Sequence, residues 1–304
     1  MEFQDVFSKG SYDLRCFTEI KHTIDTGDSK PVKLCRTPLG FEGEEEENLK
    51  MMLDVGIIQE SCSDWASAPV LVRKKDGLVR YYIDYRELNR RSVKDLFPLP
   101  SVSSCLDQLS DNVYFSTLDM ASGYWQIEIA EQDRHKTAFI TKYGLFEHKR
   151  MAFGLCNVPA TFQRMIQFVL RGLTWDKVLA YLDDVVVLGK DFQDHMENLR
   201  KTLERFRKYN LKLKPKKCSL FHTETIFLRR VVSAAGVAIN PGNIEKVKTW
   251  PIPTSVKEVE QFLGFVNYHR DHIQNYAELT ADLYHLTGAK AVFEWTVNSR
   301  RLTM

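Results

Sequence analysis

Two adjacent carboxylates, Asp183 and Asp184, stand inside the apolar run "VLAYLDDVVVLG" at residues 178–189. An ionised carboxylate in apolar surroundings is costly unless something compensates it. A plain hairpin turn accounts for part of the pattern, because Asp bonds readily to nearby backbone N–H groups. The favoured two-residue turns, however, carry Asn-Gly or Asp-Gly rather than Asp-Asp. Side by side the two charges repel, and a cation between them removes the repulsion. A metal in turn asks for a third carboxylate. Asp119, near the end of "VYFSTLDM", supplies it if the fold lays that segment beside the hairpin. Two divalent ions about 3.5–4 Å apart activate an attacking oxygen and stabilise a leaving one. Mg²⁺ is commonly held by one or two carboxylates and completed by substrate phosphates. The three aspartates therefore point to phosphoryl transfer, which rests on positioning and charge neutralisation.

Hydrophobic periodicity predicts the elements that would hold them. Residues 44–56 read as a helix with Leu49, Met52 and Leu53 on one face. Strands at 69–73 and 78–83 flank a Lys-Asp-Gly turn, a strong hairpin signal. Val113, Phe115, Thr117 and Asp119 alternate on one face of a strand, and "YWQIEIA" and "KTAFIT" read as strands too. Pro159 suits the first turn of a helix whose apolar stripe is Phe162, Met165, Ile166, Val169 and Leu173. After the aspartate hairpin, Asp191 caps a helix with Met196, Leu199, Leu203 and Phe206 inward. Arg205, Arg207 and Lys208 in its last turn suit the helix dipole. Ser255 and Glu258 form a capping box ahead of Val259, Phe262, Leu263 and Val266. The order strand, helix, hairpin, helix, strand predicts an α+β fold, with an antiparallel sheet of the split β-α-β kind carrying helices on one face.

The chain of 304 residues is long enough for two or three compact units. No apolar run reaches the length of a membrane span. The N-terminus has no signal-peptide pattern, so the expected location is intracellular, without membrane attachment. Six scattered cysteines without a C-x-x-C pair fit reduced thiols rather than disulfides or zinc. The net charge is only +2, but two basic tracts, Arg200 to Lys217 and Arg73 to Lys94, suggest phosphate contact. The acidic stretch "FEGEEEE" at residues 41–47 stands against them.

Several motifs together carry a resemblance. "YLDD" in its apolar hairpin resembles the central motif of reverse transcriptases, and "FSTLDMASGYWQI" the aspartate motif before it. "MAFGLCNVPATFQ" is similar to the loop and helix that support template and incoming nucleotide, and "VRKKDGLVRYYIDYRELN" to the fingers hairpin. "FLRRVVSAAGV" resembles the primer-grip turn, and "VKTWPIPTSVKEVEQFLGFVNYHRDHI" the thumb. The pattern is most similar to that of gypsy-like LTR retrotransposons.

The resemblance implies a right-hand polymerase with a ferredoxin-like palm. It divides the chain into a leader (1–45), fingers and palm (46–232), thumb (233–285) and a truncated start of the connection to ribonuclease H (286–304). It implies an RNA-directed, and also DNA-directed, DNA polymerase using two Mg²⁺ ions, or Mn²⁺, a primed RNA or DNA template and deoxynucleoside triphosphates. Asp119 and Asp183 would ligate the metals, with Met120 beside them, and Asp184 would complete the acidic cluster. Lys74 and Arg80 would hold the triphosphate, and Tyr124 would lie against the sugar. Phe153 and Gly154 would border the base and backbone. Phe227, Leu228, Arg229, Asn157, Pro159 and Gln163 would serve primer and template. The tract from Arg200 to Lys217 would lie near the nucleotide and primer side of the palm.

Other readings carry less weight. "IDTGD" at residues 24–28 contains the aspartic-protease triplet, yet no strand-rich body follows it. His269 and His272 lack a third metal ligand and read as helix-surface residues. Of Tyr81 and Tyr82, alternation leaves at least one an ordinary strand residue, though either ring could stack on a base. The main departures from the family pattern are Arg229 for the usual Gly, Val158 for Ala and Asp282 for Pro. A rival to the enzyme is a nucleic-acid-binding remnant without turnover.

Overall fold

A computed structural model describes residues 2–10, 12–34, 42–73, 79–288, 293 and 295. The chain divides into two compact units, Met1–Thr225 and Ile226–Met304.

The first unit is built round a four-stranded sheet in the order Ser219–His222, Tyr114–Asp119, Asp184–Gly189, Val178–Tyr181, with every neighbour antiparallel. Along the chain the order is strand, helix Val158–Val169, hairpin, helix Phe192–Lys208, strand. This is the ferredoxin-like arrangement that the sequence predicts. Phe162, Met165, Ile166 and Val169 of the first helix are fully buried, as are Val185, Val186, Val187 and Leu188 of the central strand. Burying each such side chain contributes about 1.5–3 kcal/mol. Asp191 caps the second helix by accepting from Asp194 N at 2.9 Å. That helix starts close against the sheet because residue 189 is glycine; a Cβ there would sit 2.3 Å from His195 Cβ.

Smaller sheets surround the palm. Ala68–Arg73 pairs antiparallel with Val79–Asp84, and Gly144–His148 lies between Ile58–Glu60 and Phe139–Thr141. The Lys-Asp-Gly turn lies outside the described residues.

Several expectations need correction. "YWQ" is not strand: Gly123–Gln126 is a 3₁₀ turn, and the strand is Ile127–Ile129. That strand pairs in parallel with Phe17–His22, so the leader is woven into the unit. Leu53 and Met196 are exposed; the inner face of Phe192–Lys208 also includes His195, Asn198 and Thr202, of which His195 Nε2 lies 2.7 Å from Ser116 Oγ, Asn198 donates to Leu188 O and Thr202 donates to Asn198 O.

The second unit holds the sheet Glu224–Phe227, Arg230–Ser233, Gly236–Ile239 and helices Pro241–Lys248, Val256–Asn267 and Tyr276–Leu286. Val259, Phe262, Leu263, Val266 and Leu283 form its core. Ser255 caps by accepting from Glu258 N, while the Glu258 carboxylate reaches back to Thr254 rather than to Ser255. His269 is buried, not on the helix surface, and its Nε2 lies 3.4 Å from Asn243 Nδ2.

Candidate active site

Strands Val178–Tyr181 and Asp184–Gly189 pair with Tyr181 opposite Asp184, so the two-residue turn is Leu182–Asp183. It falls one residue earlier than the Asp pair itself. Leu182 adopts φ +52°, a conformation that costs an L-residue about 1–2 kcal/mol. On the other side Asp184 stands opposite Asp119. Register thus places Asp119 and Asp184 face to face, with Asp183 next along the turn.

The electrostatics follow from that crowding. Burial pushes the Asp183 carboxyl up to about 6, and the charges of Asp119 and Asp184 add to it. Burial and Asp119 raise Asp184 as well. Lys217 Nζ lies 2.8 Å from Asp119 Oδ2 and works against both shifts. Cys218 Sγ accepts from Asp119 N at 3.5 Å. Lys217 closes the basic tract visible in the sequence, whereas nothing in the sequence marks Cys218.

Tyr124 belongs to the same cluster. Its hydroxyl hydrogen-bonds Asp183, and burial followed by the Asp183 charge pushes its pKa up to about 12. Its ring packs 5.0 Å from Phe153 and 5.3 Å from Phe162, centroid to centroid. Gly123 permits this contact: a Cβ there would meet the Phe162 ring at 2.9 Å. Phe153 is 42% exposed, so the pair presents an aromatic edge beside the carboxylates. Gly154 adopts φ +93°, and its carbonyl accepts from Asn89 Nδ2 at 2.7 Å.

Other expected contacts are placed differently. Gln163 is fully buried, and its amide is spent on the hairpin: Oε1 accepts from Leu182 N at 2.8 Å and Nε2 donates to Ala180 O at 3.2 Å. It is a support for the turn, not a template contact. Asn157 anchors residues 93–95, accepting from Asp95 N and donating to Val93 O, and Pro159 sits in the first turn of its helix. Met120 is buried in the core, and since its side chain carries no oxygen its backbone carbonyl is the oxygen donor it offers. Tyr81 is half-buried with its ring against Phe139, an ordinary strand role. Lys74 and the Arg80 side chain lie outside the described residues.

Much of the basic tract is paired within the unit. Arg200 pairs with Glu2, Arg207 with Asp5, Lys212 with Asp13, Lys201 with Glu197 and Lys217 with Asp119. The first three partners are leader acids, so these cations hold the leader.

Phe227, Leu228 and Arg229 belong to the second unit. The turn there is Leu228–Arg229: Leu228 has φ +47° and Arg229 φ +62°, and Arg230 opens the return strand. Arg230 is buried, donates to Tyr268 O at 2.9 Å and contacts His272.

The family model described as reverse transcriptase (RNA-dependent DNA polymerase) matches residues 72–266. The chain belongs to the reverse transcriptase family. It is 36% identical over 285 residues to the retrovirus-related Pol polyprotein from transposon 297 of Drosophila melanogaster, covering 91% of this chain and 27% of that protein. The Drosophila transposon opus polyprotein is also 36% identical, covering 94% of this chain and 29% of its own length. The Tf2-3 polyprotein of Schizosaccharomyces pombe is 31% identical over 88% and 20% of the two chains. The chain is thus a reverse transcriptase domain of the retrotransposon polyprotein type, and it spans less than a third of these relatives. Among solved structures, foamy viral protease-reverse transcriptase dRH in complex with double-stranded DNA superposes with a TM-score of 0.90 at 22% identity, over 99% of this chain and 54% of that one. The complex of that enzyme with an RNA/DNA hybrid gives 0.86 at 21%, over 99% and 41%. These likenesses establish the right-hand polymerase fold.

Among the described residues no three His, Cys, Asp or Glu side chains form a closed metal-holding group. A reverse transcriptase site does not require one, since Mg²⁺ is commonly held by one or two carboxylates plus substrate phosphates. Burial raises both Asp183 and Asp184, the Asp119 charge adds to each, and the Lys217 ammonium works against both shifts, as expected of a site that favours added positive charge. The donor set therefore fits. No described helix is long and apolar enough to cross a membrane.

Proposed function

We propose that this domain is an RNA-directed DNA polymerase of gypsy-like retrotransposon origin that also copies DNA. It extends a primer 3′-hydroxyl by attack on the α-phosphate of a deoxynucleoside triphosphate. The observation that carries the reading is the register that sets Asp184 opposite Asp119 with Asp183 in the adjoining turn. Asp119 and Asp183 would hold two Mg²⁺ ions, or Mn²⁺, with the Met120 carbonyl as a further oxygen donor. When bound, such ions neutralise the triphosphate and lower the pKa of the attacking hydroxyl.

The chain's own residues supply the rest. Asp184 adds negative charge behind the two ligands. Tyr124 packs between Phe153 and Phe162; lying against the sugar, its ring would leave no room for a 2′-hydroxyl. Phe153 and Gly154 border the base, and Lys74 and Arg80 would take the triphosphate. Phe227, Leu228 and Arg229 would contact the primer, and the second unit would act as the thumb. The nucleic acids bound by the foamy viral enzyme support a primed RNA or DNA template as the partner. Primer extension by the purified chain with Mg²⁺ on RNA and DNA templates tests the reading. Extension that disappears with chelator is expected; tight template binding without extension would make the chain a binding remnant instead.

A further inference from the structure

Two buried glutamines are spent on the backbone next to the aspartates. Gln163, on helix Val158–Val169, grips Leu182 N and Ala180 O on either side of Tyr181. Gln126 ends the 3₁₀ turn that carries Tyr124 and is equally buried. Its Oε1 accepts from Lys212 N at 2.7 Å, and its Nε2 donates to Lys212 O at 2.9 Å and Ala121 O at 2.8 Å. Ala121 follows Asp119 by two residues, and its own N donates to Lys212 O at 2.9 Å. Lys214 N in turn donates to Asp119 O at 2.8 Å. Each aspartate-bearing segment is therefore tied by one amide to a distant element.

Leucine would fill either position at similar volume without burying a polar group. What the amides add is direction, because each fixes a donor and an acceptor at once. A cavity of about 180 Å³ opens between the helix and strand Val178–Tyr181, lined by Gln163, Gln167, Val178 and Ala180 among others. The Gln163 amide, bonded to Leu182 N and Ala180 O, is a specific restraint on the turn.

We infer that Gln126 and Gln163 are positioning residues that together set the separation of Asp119 and Asp183, and through it the affinity for divalent cations. The inference rests on the polymerase reading and reaches beyond it, because it assigns metal affinity to residues that touch neither metal nor substrate.

The test compares Gln163→Leu and Gln126→Leu with the control Gln167→Leu, one turn further along the same helix. Hydrogen exchange reads the amides of Leu182 and Lys212, and Mn²⁺ titration followed by electron paramagnetic resonance reads affinity. Loss of one hydrogen bond should speed exchange roughly tenfold at Leu182 in the first variant and at Lys212 in the second, with the helices unchanged. Mn²⁺ should bind about tenfold to a hundredfold more weakly in both, as for other supports of metal ligands. The control should match wild type. Unchanged Mn²⁺ affinity, or exchange raised evenly through the whole unit, would overturn the inference. If a leucine variant does not fold, the glutamate variant at that site keeps an acceptor, and protonated also a donor. Restored protection and affinity there support the clamp; failure to restore them overturns it. A wild type without primer extension would sink the polymerase reading, yet the exchange comparison still decides the clamp.

Discussion

Two hairpin turns, one in each unit, solve the same problem with different residues. Leu182–Asp183 and Leu228–Arg229 both place a leucine at positive φ, where an L-side chain crowds its own carbonyl. Both strained leucines are held by a side chain from a distant element. Gln163 accepts from Leu182 N, and Tyr268 Oη donates to Leu228 O at 2.5 Å. The turns part at the second residue. Asp183 keeps a negative φ, whereas Arg229 is itself at +62°. The first turn spends one strained residue to present a carboxylate; the second spends two and presents a cation. Where strain is confined to a residue that a buried amide restrains, the neighbouring residue is free to serve chemistry.

The largest effect is expected at the first turn. Asp183→Asn keeps the shape and removes a charged ligand; losing about 4 kcal/mol should slow primer extension roughly a thousandfold. Near-normal single-turnover rates would strip the first turn of its special status.

Acid should separate the two units next. Burial holds His148 near 3 and His22 near 4 in the first unit. Both His148 ring nitrogens lack a partner among the described residues. The folded state keeps these rings neutral, while the unfolded chain takes up protons near 6.5. Their contribution is complete above about pH 6.5 and is lost as pH falls toward 4 and then 3, at about 1.4 kcal/mol for each pKa unit of displacement. Asp183 partly offsets this, since its raised pKa favours the fold as pH falls through 6. In the second unit burial and Arg230 lower His269 too. Segment-resolved hydrogen exchange at pH 7.5, 5.5 and 4.5 should show the first unit losing protection earlier; simultaneous loss would remove the distinction.

A smaller effect belongs to the aromatic wall. Tyr124→Val opens space for a 2′-hydroxyl and should raise the ribonucleotide to deoxynucleotide ratio of kcat/KM about tenfold, roughly 1.4 kcal/mol. An unchanged ratio would place the sugar filter elsewhere.

The smallest effect is at the second turn. Arg229→Gly removes one positive-φ side chain, a gain of about 1 kcal/mol and a few degrees in Tm, with little change in the salt dependence of primer binding. Weaker primer binding with a flatter salt slope would mean that the cation, not the strain, is what matters there.

These contrasts also separate what was legible in the sequence from what was not. The palm order was legible because Phe162, Met165, Ile166 and Val169 repeat with the helical period and Asp191 caps the next helix by a local bond. The approach of Asp119 to the hairpin followed from topology rules. Positive φ at residue 229 was readable from the family's glycine, but the turn's exact centre was not, because one residue of register leaves no compositional mark. Gln126 and Gln163 look like surface residues in a string, since a polar side chain satisfied by distant backbone has no local signature. Met196 sits in the apolar pattern and yet is exposed, whereas His195 is buried because it bonds Ser116, 79 residues away. The leader's docking leaves no local mark for the same reason: its strand pairs with Ile127–Ile129 and its acids with Arg200, Arg207 and Lys212.

That leader has a practical consequence for cleavage. Endoproteases take several residues of chain in extended, accessible form. Glu2, Asp5 and Asp13 are pinned by Arg200, Arg207 and Lys212, and Phe7 bridges Leu213 beside the carboxylate-bearing sheet. Single surface ion pairs contribute little, but a backbone bridge with three of them must open together. While the palm is folded, the bonds from Gln4 to Ser8 are poor scissile sites, and a nick there would report that the palm has begun to open.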